Sequence, residues 1–417
     1  MNRFKKFLSV LISCAAAASF CSCGEASSNI TDADTSAPEV NSDAAPSEDQ
    51  AVIDRAILST GNNFRLKEKI KKLRNGEDLT FAYIGGSITE GAGAPTKDKC
   101  WAALSFSRLS GKSADDPHFI NAGLSGTPSL LGNLRLERDV LSASPDIVFV
   151  EFAVNDYQDQ NHRESYESLI NTVLSQENEP AVILVFFRLE KGYSCQQHMS
   201  EIGASYDLPM ISVNDAITEE INAGRLKWEE YSIDYAHPNE FGHDLAANMV
   251  CELFDRIEKE EPDEKYTVPE KICFGKAYEN ALMMTPSFNT DCEFITVEDT
   301  GCFKESTNSG VNMFRESWHS DGSSDEPMKI KAKGNSFFVI YKRNKTETMG
   351  SVDVIINGLK LKTINSYDKD GWGDPFTADI IRFTDVKDME IEIKPAPNSD
   401  GKEFDILGFG ISENTVE

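Results

Sequence analysis

Two short stretches carry residues able to do nucleophilic chemistry. In AYIGGSITEGAGA, residues 82–94, an apolar run stops at two glycines and presents Ser87 ahead of a Thr-Glu pair. In YSIDYAHPNEFGH, residues 231–243, Asp234 stands three residues before His237. At that spacing the carboxylate can hold the Nδ1 hydrogen of the imidazole while Nε2 faces a hydroxyl. A serine needs such a base, because its hydroxyl is a weak nucleophile at its own pKa. Each stretch also has a plainer reading. Ser87 could simply cap a helix, and Asp234 and His237 could be surface polar groups ahead of a helix with Pro238 in its first turn.

Other chemistries fit poorly. A phosphate-binding loop needs Gly-Lys-Ser/Thr, but Gly91 is followed by Ala92. The nucleophile elbow of α/β-hydrolases needs glycine two after the serine, where Thr89 stands, and no GxGxxG starts at Gly85 or Gly91. No cofactor is expected. Cys100, Cys195, Cys251, Cys273, Cys292 and Cys302 form no CxxC pair, so no metal site is expected, although one disulfide among Cys273, Cys292 and Cys302 is conceivable. A net charge of -28 argues against a nucleic-acid partner, which would call for clustered Lys and Arg.

The elements that must position these residues alternate in type from about residue 60 to 258. LTFAYIGG (79–86), HFINAG (118–123), DIVFVEFAV (146–154), AVILVFFRL (181–189) and PMISV (209–213) are short Val-, Ile- and Phe-rich runs of the kind that form buried parallel strands. Amphipathic stretches lie between them, and NEFGHDLAANMVCELFDRIEKE closes the segment as a long helix. The fold class is α/β, a three-layer α/β/α sheet domain. Ligands bind such sheets outside the carboxyl ends of the strands, which is where Ser87 falls.

Four blocks in this order resemble the GDSL-like, or SGNH, hydrolase family: Ser87 in GGSITEG, Gly123 in NAGLSG, Asn155 in FAVND, and Asp234 with His237 in DYAHPNEFGH. The resemblance covers about residues 76–258. It implies Ser87 as nucleophile, His237 as base, Asp234 as the group orienting His237, and an oxyanion hole from the backbone N–H groups of Ser87 and Gly123 with the Asn155 amide. Two positions depart from the family pattern: Gly86 replaces the aspartate before the serine, and Ala153 replaces a glycine. Neither removes a group that does chemistry. Glu90, in the first helical turn, reads as a dipole partner.

Past about residue 264 the pattern becomes alternating, with SFFVIY (336–341), VDVIINGLKLKTI (352–364), MEIEI (389–393) and FDILGFGI (404–411). Asn357-Gly358 between two such runs is a hairpin signal. An all-β, jelly-roll-like sandwich is expected. The loop SYDKDGWGDPF (366–376) offers Tyr367, Trp372 and Phe376 among acids, and Trp318 adjoins His319 in what reads as another loop. Aromatic faces beside carboxylates suit sugar rings, so Trp372, Tyr367 and Trp318 are candidate substrate-binding residues.

MNRFKK followed by FLSVLISCAAAASF and CSCG resembles a bacterial lipoprotein signal, with Cys23 the best fit for lipidation, Cys21 and Cys14 the other candidates, and plain secretion the alternative. Residues 24–55 are acidic, small and Pro-containing and are expected to be a disordered linker. The expected organisation is thus 1–23 signal, 24–55 linker, 56–262 hydrolase domain and 263–417 β-sandwich. The expected function is a lipid-anchored, extracytoplasmic serine esterase removing acyl groups, acetyl foremost, from a carbohydrate. The alternatives are a lipid-directed acyl hydrolase such as a lysophospholipase or thioesterase, and an inert glycan-binding lipoprotein.

Overall fold

The structure, a computed structural model, describes residues 48–270, 272–288 and 294–413. The apolar runs of the first half form β1 (Ile57–Ser59), β2 (Phe81–Gly85), β3 (Phe119–Gly123), β4 (Ile147–Glu151), β5 (Ala181–Phe186) and β6 (Met210–Ser212). They lie in the order β1-β6-β5-β4-β2-β3, parallel except for β1, which joins β6 antiparallel. Successive side chains serve opposite faces. Phe81, Tyr83, Phe149 and Ile183 enter one apolar cluster with Leu66, Trp101 and Leu245 from the helices Phe64–Arg74, Trp101–Ser110 and Glu240–Lys259. Ala82, Ile84, Val148 and Val182 enter a second with Tyr166 and Met199 from the helices Gln160–Leu174 and Gln196–Ser205. Burial on both faces is why these strands read as unbroken apolar runs. The three-layer arrangement is therefore as expected, with β1 too short to show a pattern.

The acidic stretch expected to remain unfolded over 24–55 folds at its end. Glu48–Ala56 is a helix, Val52 and Ala56 are buried in the first cluster, and Asp54 pairs with Arg256 at 2.6 Å. Averaged composition hides the i, i+4 apolar pair that docks. Residues 1–47, Cys23 among them, lie outside the described residues.

The second half forms β7 (Leu282–Met284), β8 (Ile295–Asp299), β9 (Lys304–Ser306), β10 (Ser317–Ser320), β11 (Met328–Asn344), β12 (Ser351–Ile356), β13 (Leu359–Asn365), β14 (Trp372–Pro395) and β15 (Phe404–Ser412). All pair antiparallel in one sheet, along the path β13-β12-β14-β11-β15-β10-β9, with β7 on β15 and β8 on β11. Asn357 and Gly358 both take positive φ, 51° and 77°, as a two-residue hairpin requires. The long strand β11 breaks register between Gly334 and Ser336, and its two halves differ in burial. Met328, Ile330 and Ala332 are buried while Lys329, Lys331 and Lys333 face solvent. Beyond the bulge every residue from Ser336 to Tyr341 is buried. Phe337 and Val339 join the core of the β domain, whereas Phe338 and Ile340 join Leu124, Leu130, Leu131 and Leu134 of the α/β domain. That second face fastens the two domains together.

The boundary expected at 262/263 moves. Tyr266 donates to Tyr206 O at 2.7 Å, and the buried Glu167 carboxylate accepts from the N–H groups of Cys273, Phe274 and Gly275 at 2.7, 2.6 and 3.0 Å. The described residues from 263 to 270 and from 272 to about 281 thus line the α/β domain before β7 begins. Among the described residues Cys273 and Cys302 are free thiols, so they are not bonded to each other, and Cys292 lies outside the described residues.

Candidate active site

β2 ends at Gly85, and after Gly86 a single helical turn, Ser87–Glu90, begins with the serine and closes at Gly91 with φ 108°. Gly86 has to be glycine, because a Cβ there would lie 2.1 Å from Asn155 Oδ1. The same measurement places the Asn155 amide against the backbone that leads into Ser87.

The other side of the site is a tight loop between the helices Trp228–Tyr231 and Glu240–Lys259. A bridge between Ser232 and Pro238 pinches it, and Trp228 Nε1 donates to Asp234 O at 2.6 Å. Within it, Asp234 Oδ1 accepts from Ala236 N–H at 2.7 Å and His237 N–H at 2.8 Å. Asp234 Oδ2 lies 2.8 Å from His237 Nδ1, and His237 Nε2 lies 2.9 Å from Ser87 Oγ. A carboxylate can only accept, so Nδ1 carries the hydrogen and the Nε2 lone pair faces the serine hydroxyl. Burial would raise the Asp234 pKa, but the His237 hydrogen bond and the two amides outweigh it and hold the group below its usual range. The loop thereby keeps a negative charge behind the imidazole. His237, brought to a serine 150 residues earlier in the chain and backed by Asp234, can abstract the Ser87 proton and return it to a leaving group. Buried His243 supports the arrangement from behind: its Nε2 donates to Ala92 O at 3.1 Å and its Nδ1 accepts from Trp101 N–H at 3.2 Å, and burial lowers its pKa to about 4.

Gly123 does not present its N–H as expected. That hydrogen is taken by Asn121 Oδ1 at 2.9 Å. Its missing side chain matters instead, since a Cβ would fall 2.1 Å from Glu90 N. Further round the loop, Gly126 takes φ 72°, and among the described residues nothing accepts from its N–H. The Ser-Gly pair of NAGLSG was the available signal, because a glycine after serine marks a turn.

Trp318 is not a ligand platform. It lies in β10, is 3% exposed and stacks on Phe409 at 5.2 Å. Trp372 is 58% exposed and Tyr367 41%. Trp372 also reaches across to the α/β domain, its Cζ2 3.4 Å from where a Cβ on Gly126 would stand. The acids around it are engaged elsewhere: Asp374 accepts from Arg343 Nη2 at 2.6 Å and from Trp372 N–H at 3.0 Å, and Asp368 from Arg343 Nη1 at 3.1 Å. Arg343 in turn covers the Phe376 ring at 4.4 Å. The stretch expected as a loop over 366–376 thus becomes strand from Trp372 onward, and Arg343 ties its acids to the neighbouring strand β11. Tyr157 and Tyr235, near Asn155 and Asp234 in the chain, are also exposed aromatics.

Two buried acids were also missed. Glu151, at the end of β4 and paired in register with Gly85, accepts from Thr89 Oγ1 at 2.8 Å. Asp156 accepts from Ser129 N–H at 2.7 Å. Burial raises each to about 7, partly offset for Glu151 by Thr89 and the Gly86 amide, and for Asp156 by His162 and Ser129.

Residues 83–245 match the model of the GDSL-like lipase/acylhydrolase family. No curated protein matches the sequence. Among solved structures, a two-domain esterase active on acetylated mannans, co-crystallised with mannopentaose, superposes with a TM-score of 0.74 at 26% identity, over 87% of this chain and 98% of that one. A second structure described as a two-domain esterase active on acetylated mannans gives 0.75 at 25% identity, over 88% and 99%. The likeness therefore spans both domains.

Proposed function

With residues 83–245 a domain of the GDSL-like lipase/acylhydrolase family in a carboxylic ester hydrolase, we propose that this chain removes acetyl groups from a polysaccharide or oligosaccharide by a Ser-His-Asp mechanism. The observation that carries the reading is the unbroken relay from Asp234 through His237 to Ser87, at 2.8 and 2.9 Å. Ser87 Oγ attacks the ester carbonyl carbon while His237 Nε2 takes its proton. The tetrahedral intermediate collapses as His237 returns that proton to the departing sugar oxygen, leaving acetyl on Ser87. Water then attacks the acyl-enzyme, His237 takes a proton from it, and acetate leaves as Ser87 is reprotonated. Asp234 stays ionised throughout and stabilises the imidazolium. The oxyanion is met by Ser87 N–H and the Asn155 amide, with Gly126 N–H as the third donor in place of Gly123.

A carbohydrate ester is favoured over a lipid by two things. The two-domain likeness runs to an esterase of acetylated mannans, and an exposed tryptophan stands at Gly126. An inert glycan-binding role is disfavoured by a relay this well aligned. Lipid anchoring through Cys23, and with it an extracytoplasmic location, is part of the same reading on the strength of the first 23 residues of the sequence.

The test is acetate release from a panel of acetylated polysaccharides by the wild-type chain, Ser87→Ala and His237→Ala. Ser87→Ala should lower turnover on the order of a million-fold and His237→Ala nearly as much. Wild-type turnover by the serine variant would refute the triad, and acetate release from none of the polysaccharides would refute the substrate class.

A further inference from the structure

Glu90 stands three residues after Ser87, at the end of the same helical turn. Its Oε2 accepts from Ser125 N–H at 2.8 Å and also from the Ser125 hydroxyl. Its Oε1 accepts from Asn312 Nδ2 at 2.7 Å. Ser125 immediately precedes Gly126 on the loop after β3. Asn312 comes from the β domain, between β9 and β10.

Both partners are held from behind. Val311 and Phe314, on either side of Asn312, are buried in the cluster that contains Leu124, Leu130, Phe338 and Leu407. Ser309 Oγ accepts from Val311 N–H at 3.0 Å and donates to Phe314 O, and Lys342 Nζ donates to Ser309 O at 2.6 Å. On the other side, Asn121 Nδ2 donates to Thr89 O at 2.8 Å, and the close approach of Gly123 to Glu90 N presses the end of β3 onto the nucleophile turn. Glu90 thus closes a network in which the serine turn, the loop after β3 and the β domain meet at one carboxylate.

The geometry points to Glu90 as a positioning residue that locks the Ser125–Gly126 turn to the nucleophile turn and to Asn312, so that the β domain is a structural part of the esterase centre. This deepens the esterase reading and rests on it. Glu90 touches no reacting atom. Hydrogen bonds to a carboxylate are among the stronger ones, and here they fix the spacing between Ser87 and Gly126 N–H. Donors aimed at a developing oxyanion lose catalytic power when displaced, and the loss falls on kcat more than on KM.

The experiment uses the full chain and nitrophenyl acetate, an ester too small to need a sugar-binding surface. Glu90→Ala should lower kcat about 30-fold with KM changed less than about two-fold. Glu90→Gln should recover most of that, to within about five-fold of wild type, because its carbonyl oxygen can still accept from Ser125 while Asn312 turns its own amide over to meet the new NH2 group. Asn312→Ala should lower kcat about five-fold, and should cost nothing further in the Glu90→Ala background, since residues in one network are not additive. Wild-type kcat in Asn312→Ala would overturn the proposal. So would Glu90→Gln as impaired as Glu90→Ala with melting temperatures lowered in parallel, which is what a purely structural carboxylate predicts. Ser87→Ala run alongside reports on the triad separately, so the two readings fail by different measurements.

Discussion

At the scale of single residues, the proposed mechanism separates groups that react from groups that hold. Ser87 and His237 face each other at 2.9 Å, and Asp234 is pinned by two amides of its own loop. Asn155 is of a third kind. Its amide lies against Gly86, and its buried Oδ1 has no partner among the described residues. An amide held only to keep the fold would be expected to have that oxygen satisfied. Asn155→Ala should therefore lower kcat about 100- to 1,000-fold with little change in melting temperature. A large drop in thermal stability with normal specific activity, read by calorimetry and an ester assay on the same preparation, would make it a structural amide.

At the scale of elements, the carboxyl ends of β2 and β4 carry both the nucleophile turn and two buried acids beneath it. Glu151 and Asp156 have pKa values raised to about 7 by burial. Groups facing Glu151 include Asp156, Tyr166 and Tyr231, each of which gains by its staying neutral. In the unfolded chain both acids release their protons near pH 4, whereas the native state keeps them until about pH 7. Their contribution to stability is thus fully present below about pH 4, shrinks as the pH rises, and is gone above about pH 7. Melting temperature should fall across that window. Glu151→Gln keeps an acceptor for Thr89 without a titrating proton and should flatten the fall. If the wild-type and Glu151→Gln curves against pH run parallel, Glu151 is not the group that titrates.

At the scale of the whole molecule, the β domain packs one face of β11 and β15 on the helix Ser129–Leu134 and sets Trp372 beside Gly126. Arg382 reaches Glu164 at 2.6 Å across the same junction. The domain accordingly contributes in two separable ways. In the reading proposed above, Asn312 acts on esters of any size through Glu90, while the exposed Trp372 is the stacking face proposed for a sugar chain. Loss of such a contact is worth about 1 to 2 kcal/mol, so Trp372→Ala should reduce deacetylation of an acetylated oligosaccharide roughly ten-fold. Hydrolysis of nitrophenyl acetate should stay within about two-fold. Equal losses on both substrates with a lowered melting temperature would make Trp372 a packing residue.

Local pattern was enough to find β2 to β6, β12, β13, β15 and parts of β11 and β14, together with the hairpin at Asn357-Gly358 and the Asp234–His237 pair, because each depends on residues within a few positions of one another; the short strands β1 and β7 to β10 carried no such pattern. Strand burial on two faces writes an unbroken apolar run, and a carboxylate three residues from a histidine needs only one tight loop. Fates decided across the chain were not legible. Trp318 and Trp372 both stand among polar residues in sequence, yet one is core and the other surface, because β10 pairs inside the sheet and β14 begins at its rim. Gly123 and Gly126 are three residues apart, and only the Asn121 side chain decides which N–H is occupied. Glu90 and Asn312 are separated by 222 residues. A carboxylate on a helical turn looks the same in sequence whether it meets solvent or the amide of another domain, and only the packing of that domain makes the difference.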